Sequence, residues 1–255
     1  MVFENYLISI ITPVKKGNLL FKNTYKSVIS QTFKNFKWII VYDDNVKDFG
    51  FIDYIGRLDK RIDIKFSYSK EKGAGIARNI GLKYADGDFI TFIDSDDEWQ
   101  SSFLNDSLSF LLRKGVSSCF SGYKRWSIEE SKYLSRFTSN KENINAQEIL
   151  RGCDISCLTF FARNQNTLPS FGSYRARNDL VFFYKYLKLF GDSYNTSYLL
   201  GQYNISKNSI SSNKLKLIKY QFLVNKNIAG NSFMKSLINS FAWVLYGINK
   251  YYLKK

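Results

Sequence analysis

The stretch Gly87-Asp-Phe-Ile-Thr-Phe-Ile-Asp94-Ser95-Asp96-Asp97-Glu98 sets a strongly apolar run directly against four carboxylates within five residues. A short apolar run bounded in this way reads as a strand buried on both faces, Phe89–Ile93, the kind that a mostly parallel sheet contains. Outward from it, further β-rich runs fall at Leu7–Ile11, Trp38–Val41, Ile62–Ser67 and Ser117–Ser121. Between them lie helical patterns at about Leu19–Gln31, Phe49–Arg57, Gly75–Ala85 and Phe103–Lys114. That alternation predicts βαβ units and an α/β, Rossmann-like sheet flanked by helices. In such open sheets ligands bind beyond the carboxyl ends of the strands. Those ends carry Thr12-Pro13, Asp43-Asp44 and Asp94-Ser95-Asp96, so the chemistry is expected there.

Carboxylates so closely spaced repel one another. Either the loop is solvated, with Asp or Ser capping the next helix, or a hard cation sits there. Mg²⁺ or Mn²⁺ would suit, bound by one or two carboxylates and completed by substrate phosphates. The run Lys72-Gly-Ala-Gly75-Ile-Ala-Arg78-Asn79 is a glycine-bearing turn entering a helix. It could present backbone N–H groups and Arg78 to a phosphate, although glycine before a helix is also ordinary turn chemistry. Asp43 and Asp44 could accept hydrogen bonds from a base or ribose, or simply form an acidic turn.

Composition narrows the classes. The 255 residues hold 37 Lys plus Arg against 22 Asp plus Glu, a net charge of +15, and are 45% hydrophobic and 17% aromatic. Such a chain folds around a sizeable core. It has no histidine, which removes Ser-His-Asp and Cys-His catalysis. Cys119, Cys153 and Cys157 make neither a disulfide framework nor, with their C-x-x-x-C pair alone, a structural zinc site. The first residues do not read as a signal peptide, and no window is long and apolar enough to span a membrane.

Five blocks, in order and spacing, resemble the family 2 glycosyltransferases: Ile8-Ser-Ile-Ile-Thr-Pro13-Val14, Ser27-Val-Ile-Ser-Gln31-Thr32-Phe33, Trp38-Ile-Ile-Val-Tyr-Asp43-Asp44-Asn45, Gly73-Ala-Gly-Ile-Ala-Arg78-Asn79-Ile-Gly81 and Gly87 to Asp96. The resemblance is strong over residues 6 to 104 and looser beyond. It implies a GT-A fold and inverting transfer from a nucleotide-sugar, usually a UDP-sugar, with Mn²⁺ or Mg²⁺ held through a D-x-D motif. By position, Thr12, Pro13 and Val14 would line the nucleotide pocket, Asp43 or Asp44 would meet the uracil, and Arg78 would lie near the donor. Asp94 and Ser95 would contact ribose or sugar, with Asp96, and Asp94 beside it, at the metal. Arg177-Asn178-Asp179 stands where members commonly show Glu-Asp before an apolar helix, which makes Asp179 the candidate general base and Asn178 a departure. Tyr42 lengthens the run before Asp43 by one residue, and the His that some members use in the second half is absent.

The same resemblance implies a donor half at about 1–115 and an acceptor half at about 116–203, within a glycosyltransferase domain spanning 1–203. Polar residues from Ser127 to Asn178 give weak patterning, with a loop expected around Thr138–Asn145, a strand at Leu158–Ala162 and a helix at Leu180–Phe190. A polar segment, Asn204–Asn213, then opens a basic extension over 204–255. Residues 193 to 255 hold nine Lys and no Asp, Glu or Arg. In that extension Met234, Leu237, Ile238, Phe241, Leu245 and Ile248 recur at helical spacing. Such a helix, with Trp243, Tyr246 and Tyr251, suits peripheral contact with an anionic membrane carrying a lipid-linked glycan acceptor. Its other reading packs the apolar stripe on the core and leaves the lysines solvated. The resemblance implies a cytoplasmic enzyme of bacterial surface-polysaccharide synthesis, lipopolysaccharide O-antigen or capsule. A basic nucleic-acid-binding module and a nucleotidyltransferase are the competing classes. Against the first, the best-patterned region presents carboxylates; against the second, no basic glycine-rich loop follows the first strand.

Overall fold

The structure is a computed structural model that describes residues 5–15, 20–42, 50–67, 73–205 and 214–250. Its centre is one mixed sheet in which β1 (Ile8–Val14), β2 (Phe36–Tyr42), β3 (Ile62–Phe66) and β4 (Phe89–Phe92) run parallel. The strand order is β3-β2-β1-β4-β9-β6-β10-β5, with β5 at Glu98–Trp99, β6 at Ser118–Ser127, β9 at Phe160–Arg163 and β10 at Ser193–Ile205. Two more strands, β7 (Lys132–Phe137) and β8 (Asn143–Ile144), pair with β6 and β10 respectively.

Every residue of β1 is buried, as expected of a strand covered on both faces. Alternation then divides the side chains between two cores. Ile8, Ile10, Trp38 and Ile40 point to one side, where α1 (Phe21–Ile29), α2 (Gly50–Leu58) and α4 (Phe103–Lys114) lie. Ile11, Ile39, Val41 and Phe92 point to the other, against α3 (Ala74–Leu82) and α5 (Asn178–Phe190). All three cysteines are free.

The first half follows the sequence expectation closely; α4 has the expected bounds, and Gly115 ends it in the left-handed conformation at φ 69°. The second half holds more strand than expected. β7 falls in the weakly patterned region, β8 lies inside the expected Thr138–Asn145 loop, and β6 runs to Ser127. The 13-residue β10 has no counterpart in the sequence reading, and it claims Asn204 and Ile205 from the expected polar segment; residues 206–213 lie outside the described ones. Two register shifts break its period, and polar residues occupy its buried positions. Asn195, for example, is buried and donates its amide to the Ser139 and Lys141 carbonyls at 3.0 and 3.2 Å.

Beyond β10, α6 (Lys214–Leu223), a single π-helical turn (Val224–Ile228) and α7 (Phe233–Ile248) form the helical C-terminal region. α7 is placed opposite to the core-packing reading. Ser236, Asn239 and Ser240 are its buried residues, and its apolar stripe is exposed. Trp243 and Tyr246, assigned to the membrane side from sequence, instead face the body: Arg177 stacks over Trp243 at 4.7 Å, and Gly152 lies against the Tyr246 ring. Tyr251 lies outside the described residues.

Candidate active site

The acidic loop leaves β4 at the carboxyl end of the parallel strands, beside the end of β1. It does not cap a helix. After a tight turn, in which Asp97 N–H donates to the Asp94 carbonyl at 3.1 Å, the chain enters β5 and pairs antiparallel with β10. Asp97 is 1% exposed, its carboxylate accepting from Asn204 N–H at 2.9 Å and its carbonyl from the Thr24 hydroxyl at 2.8 Å. The Asn204 amide donates to the Asp96 carbonyl at 2.7 Å and to Glu98 Oε1 at 3.1 Å, where Gln202 adds a bond at 3.2 Å. Two of the four acids are thus fastened by β10. Asp94 and Asp96 are the pair left, both partly exposed.

Burial and the neighbouring Asp94 push the Asp96 carboxyl up to about 6, and Asp96 makes no ion pair among the described residues. Burial also raises Asp97 well above the usual carboxylate range, with Asp96 and Asp94 adding to it. No cluster of three or more His, Cys, Asp or Glu side chains among the described residues could enclose a metal by itself. A hard cation needing one or two carboxylates, with the rest of its shell from water and diphosphate, fits Asp96 and Asp94.

The opposite wall comes from α3. Gly73 begins it at φ 140°, a conformation that glycine adopts readily. Gly75 allows close approach: a Cβ there would stand 2.9 Å from the Gly172 carbonyl and 3.0 Å from Asn178 Cβ. Arg78 then reaches across, 4% exposed, with Nη2 on Asp94 and Nη1 donating to Asn178 Oδ1 at 3.2 Å, and with the guanidinium over the Phe171 ring at 5.3 Å. Burial disfavours its charge, but the carboxylates of Asp94 and Asp179 more than offset this and raise its pKa. Arg78 therefore holds Asp94 from a buried position. Asn79 clamps the same segment, donating to the Phe171 carbonyl at 3.1 Å and accepting from Phe171 N–H at 2.7 Å.

That segment leads to the candidate base. Arg177 adopts the left-handed conformation at φ 63°, and Asn178-Asp179 follow in the first turn of α5, where the helix dipole favours a carboxylate. Asp179 Oδ1 accepts from Leu180 N–H at 2.8 Å. The Arg177 guanidinium is held by Gln221 Oε1 of α6 at 2.6 and 2.9 Å, so the C-terminal helices brace this turn.

Of the other residues singled out from sequence, Thr12, Pro13 and Val14 end β1 and are buried. The Thr12 hydroxyl accepts from the Trp38 indole at 2.9 Å. Ser95 is buried between Asp94 and Asp96. Asp43 and Asp44 lie outside the described residues. Sequence reasoning missed Asn204 and Arg177. Neither has a local signal, since each acts on groups distant in the chain.

The fold has counterparts among solved structures. A crystal structure of S. aureus TarS 1-349 in complex with UDP-GlcNAc superposes with a TM-score of 0.66 at 15% identity, over 97% of this chain and 74% of that TarS chain. The class is therefore that of GT-A proteins. The profile of "Glycosyl transferase family 2" matches residues 9–211, and the chain belongs to that family. WfgD of Escherichia coli, named as a UDP-Glc:alpha-D-GlcNAc-diphosphoundecaprenol beta-1,3-glucosyltransferase, is 30% identical over 254 residues, 97% of this chain and 96% of WfgD. TuaG of Bacillus subtilis (strain 168), whose name assigns it provisionally to teichuronic acid biosynthesis, is 30% identical over 234 residues, 90% of this chain and 91% of TuaG.

Proposed function

We propose that this glycosyltransferase moves a sugar, with inversion, from a UDP-sugar to a lipid-linked glycan destined for a bacterial surface polysaccharide, O-antigen or capsule. The observation that carries the reading is the Arg78 bridge: one buried guanidinium joins Asp94 of the acidic loop to Asn178, the neighbour of Asp179. The bridge links the acidic loop to the turn that bears Asp179, 85 residues from Asp94 in the chain.

In this reading Asp179 takes the proton from the acceptor hydroxyl as that oxygen attacks the anomeric carbon. Arg78 orients Asp94 towards the donor's ribose or sugar, and β10, through Asn204, holds Asp96 at the mouth of the cleft. Asp96, with Asp94, would hold Mn²⁺ or Mg²⁺, which when bound neutralises charge on the departing diphosphate. No nucleophilic side chain is needed, which suits a chain without histidine. The donor and acceptor classes are supported by the names of relatives such as WfgD and by the UDP-GlcNAc complex of TarS. No helix among the described residues is long and apolar enough to cross a membrane.

The test is transfer from a panel of UDP-sugars to a polyprenyl-diphosphate-linked sugar with Mn²⁺ present. Turnover with one donor, abolished in Asp179→Asn, is expected; turnover that survives Asp179→Asn would overturn the role of the base.

A further inference from the structure

We infer that the outward face of α7 is a docking surface for an anionic lipid bilayer, an inference that rests on the lipid-linked acceptor proposed above. At 3.6 residues per turn, Met234, Leu237, Ile238, Phe241, Leu245 and Ile248 fall within about 100° of arc. They are 43 to 65% exposed, whereas Ser236, Asn239 and Ser240 on the opposite side are buried. A helix laid on a water-exposed body ordinarily does the reverse. The inverted placement is built in by specific bonds: Asn239 accepts from Arg151 Nε at 3.0 Å and donates to Asn225 Oδ1 at 2.8 Å. Rotating the stripe inward would break the Asn239 bonds and strand buried polar groups.

Charge selects the occupant. From residue 193 onward the chain has nine lysines and no Asp or Glu, and Lys226 and Lys235, next to and on the helix, are exposed. A second copy would bring the same positive charge to this face. A bilayer rich in acidic headgroups offers the opposite charge together with an apolar interior for the stripe, the combination an interfacial amphipathic helix uses. The geometry also serves the reaction. On its inner side α7 carries Trp243 beneath the Arg177 guanidinium, two residues before Asp179. Docking would therefore place the base-bearing turn roughly one helix diameter, about 10 Å, from the headgroups, where the diphosphate of a lipid-linked acceptor lies.

Sedimentation of the full chain with phosphatidylglycerol-rich and with pure phosphatidylcholine vesicles tests this. The expected result is binding to the acidic vesicles, weakened by salt and reduced about tenfold or more in the Ile238→Glu/Phe241→Glu double variant. Leu245→Glu, at another exposed position, serves as a second variant should the pair disturb folding. Undiminished vesicle binding by both variants would overturn the inference. So would a wild-type dimer, seen by light scattering, that ignores vesicles and that the double variant dissociates. Transfer to a short-chain, water-soluble diphosphate acceptor separates this from the acceptor reading. Equal transfer by wild type and double variant, with binding lost only in the latter, supports the docking surface; vesicle binding without any transfer would overturn the acceptor reading and leave the docking surface standing.

Discussion

The acidic loop after β4 and the helix α7 use buried polar residues in opposite ways. In the loop, carboxylates that a chain would normally leave in water are drawn inside: Asp97 is buried on Asn204, and Asp94 is tied to Arg78. In α7, asparagine and serine face inward while leucine, isoleucine and phenylalanine face out. Each inversion costs stability locally, through desolvation in one case and exposed apolar surface in the other. The contrast marks two places where the fold departs from the packing that stability alone favours, and it is there that the donor site and the docking surface are proposed.

The largest expected effect lies on the catalytic side. Asp179→Asn keeps the shape of the α5 turn but removes the proton acceptor, so transfer should fall by about 10²- to 10⁴-fold while UDP affinity stays within about twofold, as kinetics and calorimetry would record. Next comes the wall between α3 and the base. Gly75→Ala puts a methyl group 2.9 Å from the Gly172 carbonyl, and overpacking should cost about 1–3 kcal/mol in denaturant unfolding, with reduced transfer as the Arg78 bridge shifts.

Two further effects, the second of them the smallest, test the contrast itself. Asn239→Ala removes bonds to Arg151 and Asn225 and should destabilise by about 1–3 kcal/mol. Phe241→Ser, on the outer face of the same helix, should change stability by no more than about 0.5 kcal/mol. Urea midpoints in the absence of lipid check both. If the phenylalanine proved the costlier loss, α7 would be packed the other way round.

The difference between the two regions also explains what could be read from sequence. The strands β1, β2 and β4 bury both faces and the helices between them follow ordinary periodicity, so their order, and the acids at their ends, were legible. α7 was legible as an amphipathic helix, but periodicity does not say which face is buried. Only the partners of Asn239, 14 and 88 residues away, decide it. β10 escaped because its bulges break the two-residue period and its buried asparagines look like loop. Asn204 and Arg177, which brace Asp96 and the base-bearing turn, act through contacts 108 and 44 residues away. The pairing of Arg78 with Asp94 was likewise hidden in sequence, where the arginine looked available to a phosphate.

The central claim is that the acidic loop is a metal-assisted donor site. Calorimetric titration of UDP into wild type and Asp96→Ala, each with and without Mn²⁺, tests it most directly. The account predicts binding by the wild type that depends on Mn²⁺ and is lost in Asp96→Ala, with the thermal midpoint of the unliganded variant little changed. UDP binding of equal strength in both proteins, indifferent to Mn²⁺, would contradict it.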